Sequence, residues 1–336
     1  MKKVSIITPC FNGEKYINRY LDSLLNQTHV NLEIIFINDG SSDKTEEIVK
    51  SYSEKFESKG MDFKYIYQEN AGQAAALNKG LKIFTGEYLT WPDCDDFLPP
   101  DSVEKKVKFF EENPSFDIVR SDVALVGEDN MEKIIGYYAK NNPNKFKEDL
   151  FDDYILENKV WFSPGCFMIK SAAFLKVNKE REIYSGPGGQ NWQMILPILY
   201  KNKCGYIDEV TYIYTIRSSS HSRNFRSYHE ELLRCKEHLD ILIETLKKIE
   251  MNDNERTQYN KLIEEKYIRK KLYLSSNYRE NVDTKFYYNE LLNLGKQNLM
   301  DKVYYYMSYN KFSYIIGKLF IKAHKILCKI KDLIRV

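Results

Sequence analysis

The sequence predicts an α/β fold, a mostly parallel sheet flanked by helices, followed by a helical C-terminal extension. Three observations carry this. Over the first hundred residues, strand-like and helix-like runs alternate; polar or conformationally special residues follow each strand-like run; and beyond about Arg223 the pattern is helical throughout, rich in Leu, Lys, Glu and Tyr. Alternation of this kind implies right-handed crossovers between parallel strands, and ligands bind beyond the carboxyl ends of such strands.

The elements follow in order. "KVSIIT" is a compact β-rich run, and "EKYINRYLDSLLNQ" places Ile17, Tyr20, Leu21, Leu24 and Leu25 at helical spacing. "LEIIFIND" is a second buried strand. "SSDKTEEIVKSYSEKF" opens on cap residues, with Asp43 three before Glu46, and carries Ile48 and Tyr52 on one helical face. "FKYIYQ" is a third strand, "GQAAALNKGLKIF" a helix of small residues, and "EYLTW" a fourth strand that runs into "WPDCDDFLPP".

Composition bounds the function. A chain of 336 residues is long enough for two domains, and 43% hydrophobic with 29% charged residues is the balance of a soluble globular protein. A net charge of +2 carries no polyanion signal, so nucleic acid is not an expected partner. The six cysteines show no CxxC pair and no zinc spacing, which reads as reduced thiols and a cytoplasmic location. "MKKVSIITPC" has a basic start but only a short apolar run before Pro9, so it reads as a first strand rather than a signal peptide. No uninterrupted apolar stretch is long enough to cross a bilayer.

The expected site lies where the strands end, at Thr8 to Asn12, Asn38 to Ser41, Asn70 to Gly72 and Asp93 to Asp96. No GxxxxGK[ST] is present, nor a GxGxxG after the first strand, so no glycine-rich turn is available to cradle phosphates. Asp93, Asp95 and Asp96 crowd three carboxylates around Cys94. Such a cluster is an acidic solvated turn, a helix N-terminus that welcomes negative charge, or a set of oxygen ligands for a divalent cation. Mg²⁺ or Mn²⁺ suits oxygen ligands better than zinc does.

The four blocks "VSIITPCFNGEKYI", "EIIFINDGSSDKT", "NAGQAAALNKGL" and "GEYLTWPDCDD", in this order and over roughly residues 3 to 222, resemble a family 2 glycosyltransferase with the GT-A fold, of the inverting, bacterial surface-polysaccharide type. The resemblance implies a metal-dependent transfer of a sugar from a nucleotide diphosphate, UDP-linked, to an acceptor hydroxyl with inversion at the anomeric centre. It implies that Pro9, Phe11 and Asn12 border the base, that Asp39 accepts a hydrogen bond from it, and that Glu14, Asn70 and Asn78 shape the nucleotide pocket. Asp93 would stand near the ribose and diphosphate beside Cys94, Asp95 would hold the metal with Asp93, and Arg217 would contact phosphate. The chain departs from the family twice. Leu77 stands where many members have Arg, and Gln190 and Asn191 stand where the family has a Glu-Asp pair whose Asp is the base; neither amide takes a proton at neutral pH. Gln190, Asn191 and Trp192 remain candidates for the acceptor side. The base is then sought in His221, which is also a candidate metal or phosphate ligand, or in Asp96, which alternatively orders the metal loop or starts a helix.

These readings divide the chain into a glycosyltransferase domain over 1–223, with a nucleotide-binding half at 1–96 and an acceptor half at 97–223, and a helical extension over 224–336. In "FSYIIGKLFIKAHKILCKIKDLIRV", apolar residues from Phe312 to Leu333 fall on one helical face and Lys318, Lys322, Lys325 and Lys329 largely on another. Residues 312–336 therefore read as a basic amphipathic helix on the inner face of an anionic membrane, or as one packed on its own domain or in a homodimer. A lipid-linked or surface-polysaccharide acceptor would suit the first reading. Two other functions stay open: a sugar-1-phosphate nucleotidyltransferase, and a nucleotide-sugar-binding protein without catalysis.

Overall fold

The computed structural model describes residues 1–186, 189–217 and 227–334, with side chains described up to residue 328. It divides into two compact units: Met1–Arg223 with Glu244–Glu250, and Asn224–Ile243 with Met251–Val336.

The first unit begins β1 (Val4–Cys10), α1 (Ile17–Leu25), β2 (Leu32–Asp39), α2 (Thr45–Lys50), α3 (Ser53–Ser58), β3 (Asp62–Gln68), α4 (Gln73–Ile83) and β4 (Tyr88–Thr90). It continues α5 (Ser102–Glu112), β5 (Ile118–Gly127), β6 (Asn130–Tyr137), α6 (Phe151–Leu156), β7 (Met168–Lys170), α7 (Ser171–Val177), α8 (Gln190–Leu199) and β8 (Cys204–Ile216). The strands form a sheet in the order β3-β2-β1-β4-β7-β5-β6, with β8 paired to β5. The pairs β1–β2, β2–β3, β1–β4 and β5–β8 are parallel, and β7 and β6 run antiparallel to their neighbours. Every residue of β1 and β2 is buried, as expected of central strands covered on both faces. α1 packs through Ile17, Tyr20, Leu21, Leu24 and Leu25, the face its spacing predicts.

Burying all of β2 also buries Glu33. Its carboxylate accepts from Lys64 Nζ (2.6 Å), Thr85 N (2.7 Å), Thr85 Oγ1 (2.8 Å) and Ser5 Oγ. Burial alone would raise its pKa, but these donors outweigh burial and bring it down to about 2.

Register decides where the site falls. Cys10 lies opposite Asn38, Asp39 opposite Gln68, and Ile6 opposite Thr90, so β1, β2, β3 and β4 all end at one edge of the sheet. From the other half of the sheet, β8 reaches the same edge, because Phe97 and Ile213 exchange backbone bonds at 3.2 and 2.9 Å.

The helix expected after β2 is two short helices, broken at Ser51-Tyr52. The capping box expected there is absent. Asp43 instead accepts from Thr45 N (3.0 Å) and from Glu14 N (3.0 Å), tying two loops together.

The second unit is helical: α9 (Tyr228–Lys247, whose last turn falls in the first unit), α10 (Asp253–Tyr278), α11 (Asn281–Asn293), α12 (Leu299–Met307) and α13 (Lys311–Ile334). Capping boxes at Asn252/Glu255 and Asn298/Asp301 start α10 and α12. Arg269 on α10 bonds the buried Asp301 through Nε (3.1 and 3.2 Å), and Tyr273 stacks on Tyr304 at 3.9 Å. α13 packs through Gly317, where a Cβ would come 2.1 Å from Met307 Cγ, and through Ile321. Its apolar stripe of Phe312, Ile315, Ile316, Leu319, Phe320, Ile326 and Leu327 is exposed.

Candidate active site

A cleft of about 730 Å³ opens at the edge where the strands end. Pro9 lines it from the end of β1, Phe11 and Asn12 from the loop that follows, Asp39 from the end of β2, and Asp93, Cys94 and Asp95 from the turn after β4. Asn191 from the start of α8 and Arg217 from the end of β8 complete the expected residues on its wall.

Beside the ends of β1 and β2, Asn12 takes a left-handed backbone (φ 50°) and its Oδ1 accepts from Ser42 N at 2.9 Å. Phe11 is thereby left 52% exposed, offering a ring face to the cleft. Asp39 is buried and accepts from Gln68 Nε2 (2.6 Å), Ala71 N (2.9 Å) and Gly72 N (3.0 Å). A carboxylate offers about four acceptor positions; two shape the turn into α4, Gln68 on β3 takes a third, and one remains for a ligand.

At the acidic turn, the carboxylates of Asp93, Asp95 and Asp96 offer oxygens within 4.8 Å of one another. Asp95 pairs with the Arg217 guanidinium, which lies 4.9 Å from the Tyr16 ring centroid. Asp93 Oδ1 accepts from Gln73 Nε2 at 2.7 Å. Asp96 faces inward at 1% exposure: Tyr212 Oη donates to Oδ2 and Thr215 N to Oδ1, both at 2.8 Å. The same Tyr212 oxygen accepts from Asp93 N at 3.1 Å. Arg19 Nη2 pins the turn further, donating to Asp95 O (2.7 Å) and Thr215 Oγ1 (3.1 Å).

Burial, and then the charge of Asp95, raises the Asp93 pKa; burial, and then the charges of Asp95 and Asp93, raises that of Asp96 well above the usual carboxylate range. Three carboxylates gathered this closely fit a divalent cation, and the carboxylate donors suit Mg²⁺ or Mn²⁺. Asp93 and Asp95 are the members open to the cleft, and each keeps acceptor capacity beyond its one side-chain partner. With both oxygens spent on β8, Asp96 is placed to order the turn rather than to take a proton from a substrate.

Several expected residues stand away from the cleft wall. Glu14 is exposed and its Oε2 accepts from Lys44 N at 2.7 Å, holding the β2–α2 loop. Asn78 bonds both Ile183 O and Ile183 N (2.8 Å each), fixing the chain at that residue. Asn70 is exposed beside Gly40, whose missing Cβ would lie 2.6 Å from Asn70 N. Gln190 is buried, and Trp192 is a core residue: its Nε1 donates to Tyr154 O (3.0 Å) and its ring packs edge-on to Phe162 at 5.1 Å. Leu77 is fully buried. His221 lies outside the described residues.

Gln73, Lys15, Tyr16, Phe162, Pro164 and Tyr214 line the cleft without having been singled out. For two of them a signal existed. Gln73 is the first residue of the helix that follows Gly72, and Tyr214 shares the period-2 face of Tyr212 along β8.

The glycosyl transferase family 2 model matches residues 5–177, more than half of the chain. Glycosyltransferase GlyA of Streptococcus pneumoniae is 32% identical over 228 residues, 66% of this chain and 32% of that protein. An uncharacterized glycosyltransferase of Rickettsia typhi is 41% identical over 116 residues, 34% of each chain. The alignments thus span about a third of the length of these relatives. Among solved structures, S. aureus TarS 1–349 in complex with UDP shares the fold at TM-score 0.56 and 20% identity, covering 79% of this chain and 72% of that one. The mannosyltransferase PcManGT of Pyrobaculum calidifontis, in complex with GDP-Man and Mn²⁺, does so at TM-score 0.54 and 15% identity, covering 99% and 87%.

Proposed function

The chain belongs to glycosyl transferase family 2, and from that premise we propose that it transfers a sugar from a nucleotide diphosphate donor, UDP-linked, to an acceptor oxygen, with inversion at the anomeric carbon. The observation that carries this reading is the cleft in which Asp39, Asp93, Asp95 and Arg217 converge from the ends of β2, β4 and β8. TarS, which shares the fold, is solved with UDP and with UDP-GlcNAc.

In this reading Pro9 and Phe11 flank the base and Asp39 accepts its N–H with the one acceptor position left to it. Asp93 and Asp95 hold Mg²⁺ or Mn²⁺, which supplies positive charge for the leaving diphosphate when bound. Arg217, paired with Asp95 here, is within reach of the same phosphates. Gln73 orients Asp93, while Tyr212, Asp96 and Arg19 keep the turn rigid, so little reorganisation is required when the donor binds. The acceptor enters along Asn191, Phe162 and Pro164. A nucleotidyltransferase is disfavoured by the lack of a glycine-rich phosphate loop, and donor turnover separates the enzyme from a binding protein.

The second unit supports a place at a membrane surface. No described helix is long and apolar enough to cross a membrane. The exposed stripe of α13 is flanked by Lys318, Lys322 and Lys325, and residues 311–328 contain no Asp or Glu. An anionic bilayer matches that surface, whereas a second copy of the helix would set lysine against lysine.

The test is a thermal-shift and hydrolysis screen of UDP-glucose, UDP-galactose and UDP-N-acetylglucosamine with and without Mn²⁺. One donor should stabilise the protein only with metal and release UDP slowly. Stabilisation by none of them would refute the reading.

A further inference from the structure

Asn191 stands where the resemblance places a carboxylate base, and the structure fixes which end of its amide faces the cleft. Trp91 is 2% exposed and stacked on Phe167 (6.3 Å between centroids, 5° between planes). Its Nε1 donates to Asn191 Oδ1 at 2.9 Å. An indole nitrogen only donates, so the amide oxygen must face Trp91 and the Nδ2 hydrogens must point elsewhere. Asn191 lines the cleft, and among the described residues nothing accepts from Nδ2. The acceptor side therefore offers a preoriented donor, the reverse of what a base requires. The described carboxylates on the wall, Asp39, Asp93 and Asp95, are assigned in the donor reading to the base and the metal. The Lys15 ammonium also lines the cleft, 68% exposed and paired with Glu128 Oε2 at 3.4 Å.

Resting on the donor reading above, we propose that the acceptor is a phosphate monoester rather than a neutral hydroxyl. Its reacting oxygen arrives deprotonated, because the second ionisation of a phosphate monoester lies near pH 6. That oxygen attacks the anomeric carbon, the bond from this carbon to the nucleotide diphosphate breaks, and the diphosphate leaves with the electron pair. The product is a glycosyl phosphodiester, and no proton has to be removed from the nucleophile. Asn191 Nδ2 donates to a phosphate oxygen that does not attack, and Trp91 is the positioning residue that holds the amide in that sense.

The test follows transfer from the UDP-sugar selected by the thermal-shift screen to three probes: glucose 1-phosphate, farnesyl phosphate in detergent micelles, and octyl glucoside, which offers only hydroxyls. Transfer to a phosphate ester and not to octyl glucoside is expected; use of the soluble ester alone assigns a free sugar phosphate, and use of the lipid alone a lipid headgroup. The acid limb of the rate should fall near pH 6. Asn191→Asp places a carboxylate before an anion, so the KM for the phosphate acceptor should rise at least tenfold while donor affinity is unchanged. Trp91→Phe frees the amide and should raise the same KM by a smaller factor. Transfer to octyl glucoside, quickened by Asn191→Asp, would overturn the proposal, as would donor hydrolysis with no phosphate ester used. If the wild type neither binds nor turns over a UDP-sugar, the donor reading itself fails, and this proposal with it.

Discussion

Removing one hydroxyl, with Tyr212→Phe, tests whether the acidic turn is held from the far side of the sheet. The ring itself is tightly seated: a Cβ at Gly165 would come 2.0 Å from Tyr212 Cε2, so Phe keeps the packing and only the oxygen is lost. That oxygen donates to Asp96 Oδ2 and accepts from Asp93 N. Leaving a buried polar group without its partner costs ~1–3 kcal/mol; Asp96 Oδ2 falls in that range and the half-buried Asp93 N at its lower end, giving about 2–4 kcal/mol together. In a unit of about 230 residues, each kcal/mol moves Tm by roughly 2–4 °C. Thermal unfolding followed by circular dichroism should therefore show Tm lower by about 5–15 °C. Because Asp93 N–H is one of the groups released, Mn²⁺-dependent UDP affinity should weaken at temperatures where the variant is still folded. A Tm within ~2 °C of the parent with unchanged UDP affinity would refute the role assigned to Tyr212.

Other perturbations have equally definite outcomes. Glu33 has its folded pKa depressed to about 2 from 4.5, so its contribution is present above the unfolded value and is lost as pH falls from about 4.5 towards 2. At about 1.36 kcal/mol per pH unit this amounts to about 3 kcal/mol; Glu33→Gln should cost up to that amount in urea unfolding at pH 7 and roughly half as much or less at pH 3, and equal losses at both would contradict the account. Asp39→Ala should weaken UDP by about one to two factors of ten, from ~1.5–3 kcal/mol for a hydrogen bond to a charged group; equal binding in calorimetry would show that Asp39 serves only the turn at Ala71 and Gly72. Deleting residues from Phe312 onward should abolish sedimentation with phosphatidylserine vesicles, and binding by the intact chain should fall as salt rises; no binding by the intact chain would assign the exposed stripe of α13 to another partner.

Local signals made much of this legible. β1, β2, β3 and β4 were readable as short apolar runs, α1 by its buried spacing, and the edge that carries the cleft by strand–helix alternation. What stayed hidden is non-local. Asp96 looks like its neighbours in "DCDD", yet Tyr212 and Thr215, which lie 116 and 119 residues further on, turn it inward and leave Asp93 and Asp95 to the cleft. Trp192 follows two cleft candidates in sequence, but α8 turns its ring into the core against Phe162. Glu14 and Asn78 were assigned to the pocket because of their place in the motifs; their side chains instead bond the backbone at Lys44 and Ile183. The exposed stripe on α13 was visible as a pattern, but only packing shows that the helix is anchored through Gly317 and Ile321 on a different face.

The central claim is that the turn after β4 binds a nucleotide diphosphate through a metal held by Asp95. Calorimetric titration of UDP into the full chain, with and without Mn²⁺, beside Asp95→Ala tests it most directly. The account predicts tight binding by the parent only with Mn²⁺, and loss of that metal-dependent increment in the variant while its Tm shows that it is folded. UDP affinity in Mn²⁺ that is the same for parent and variant would contradict it.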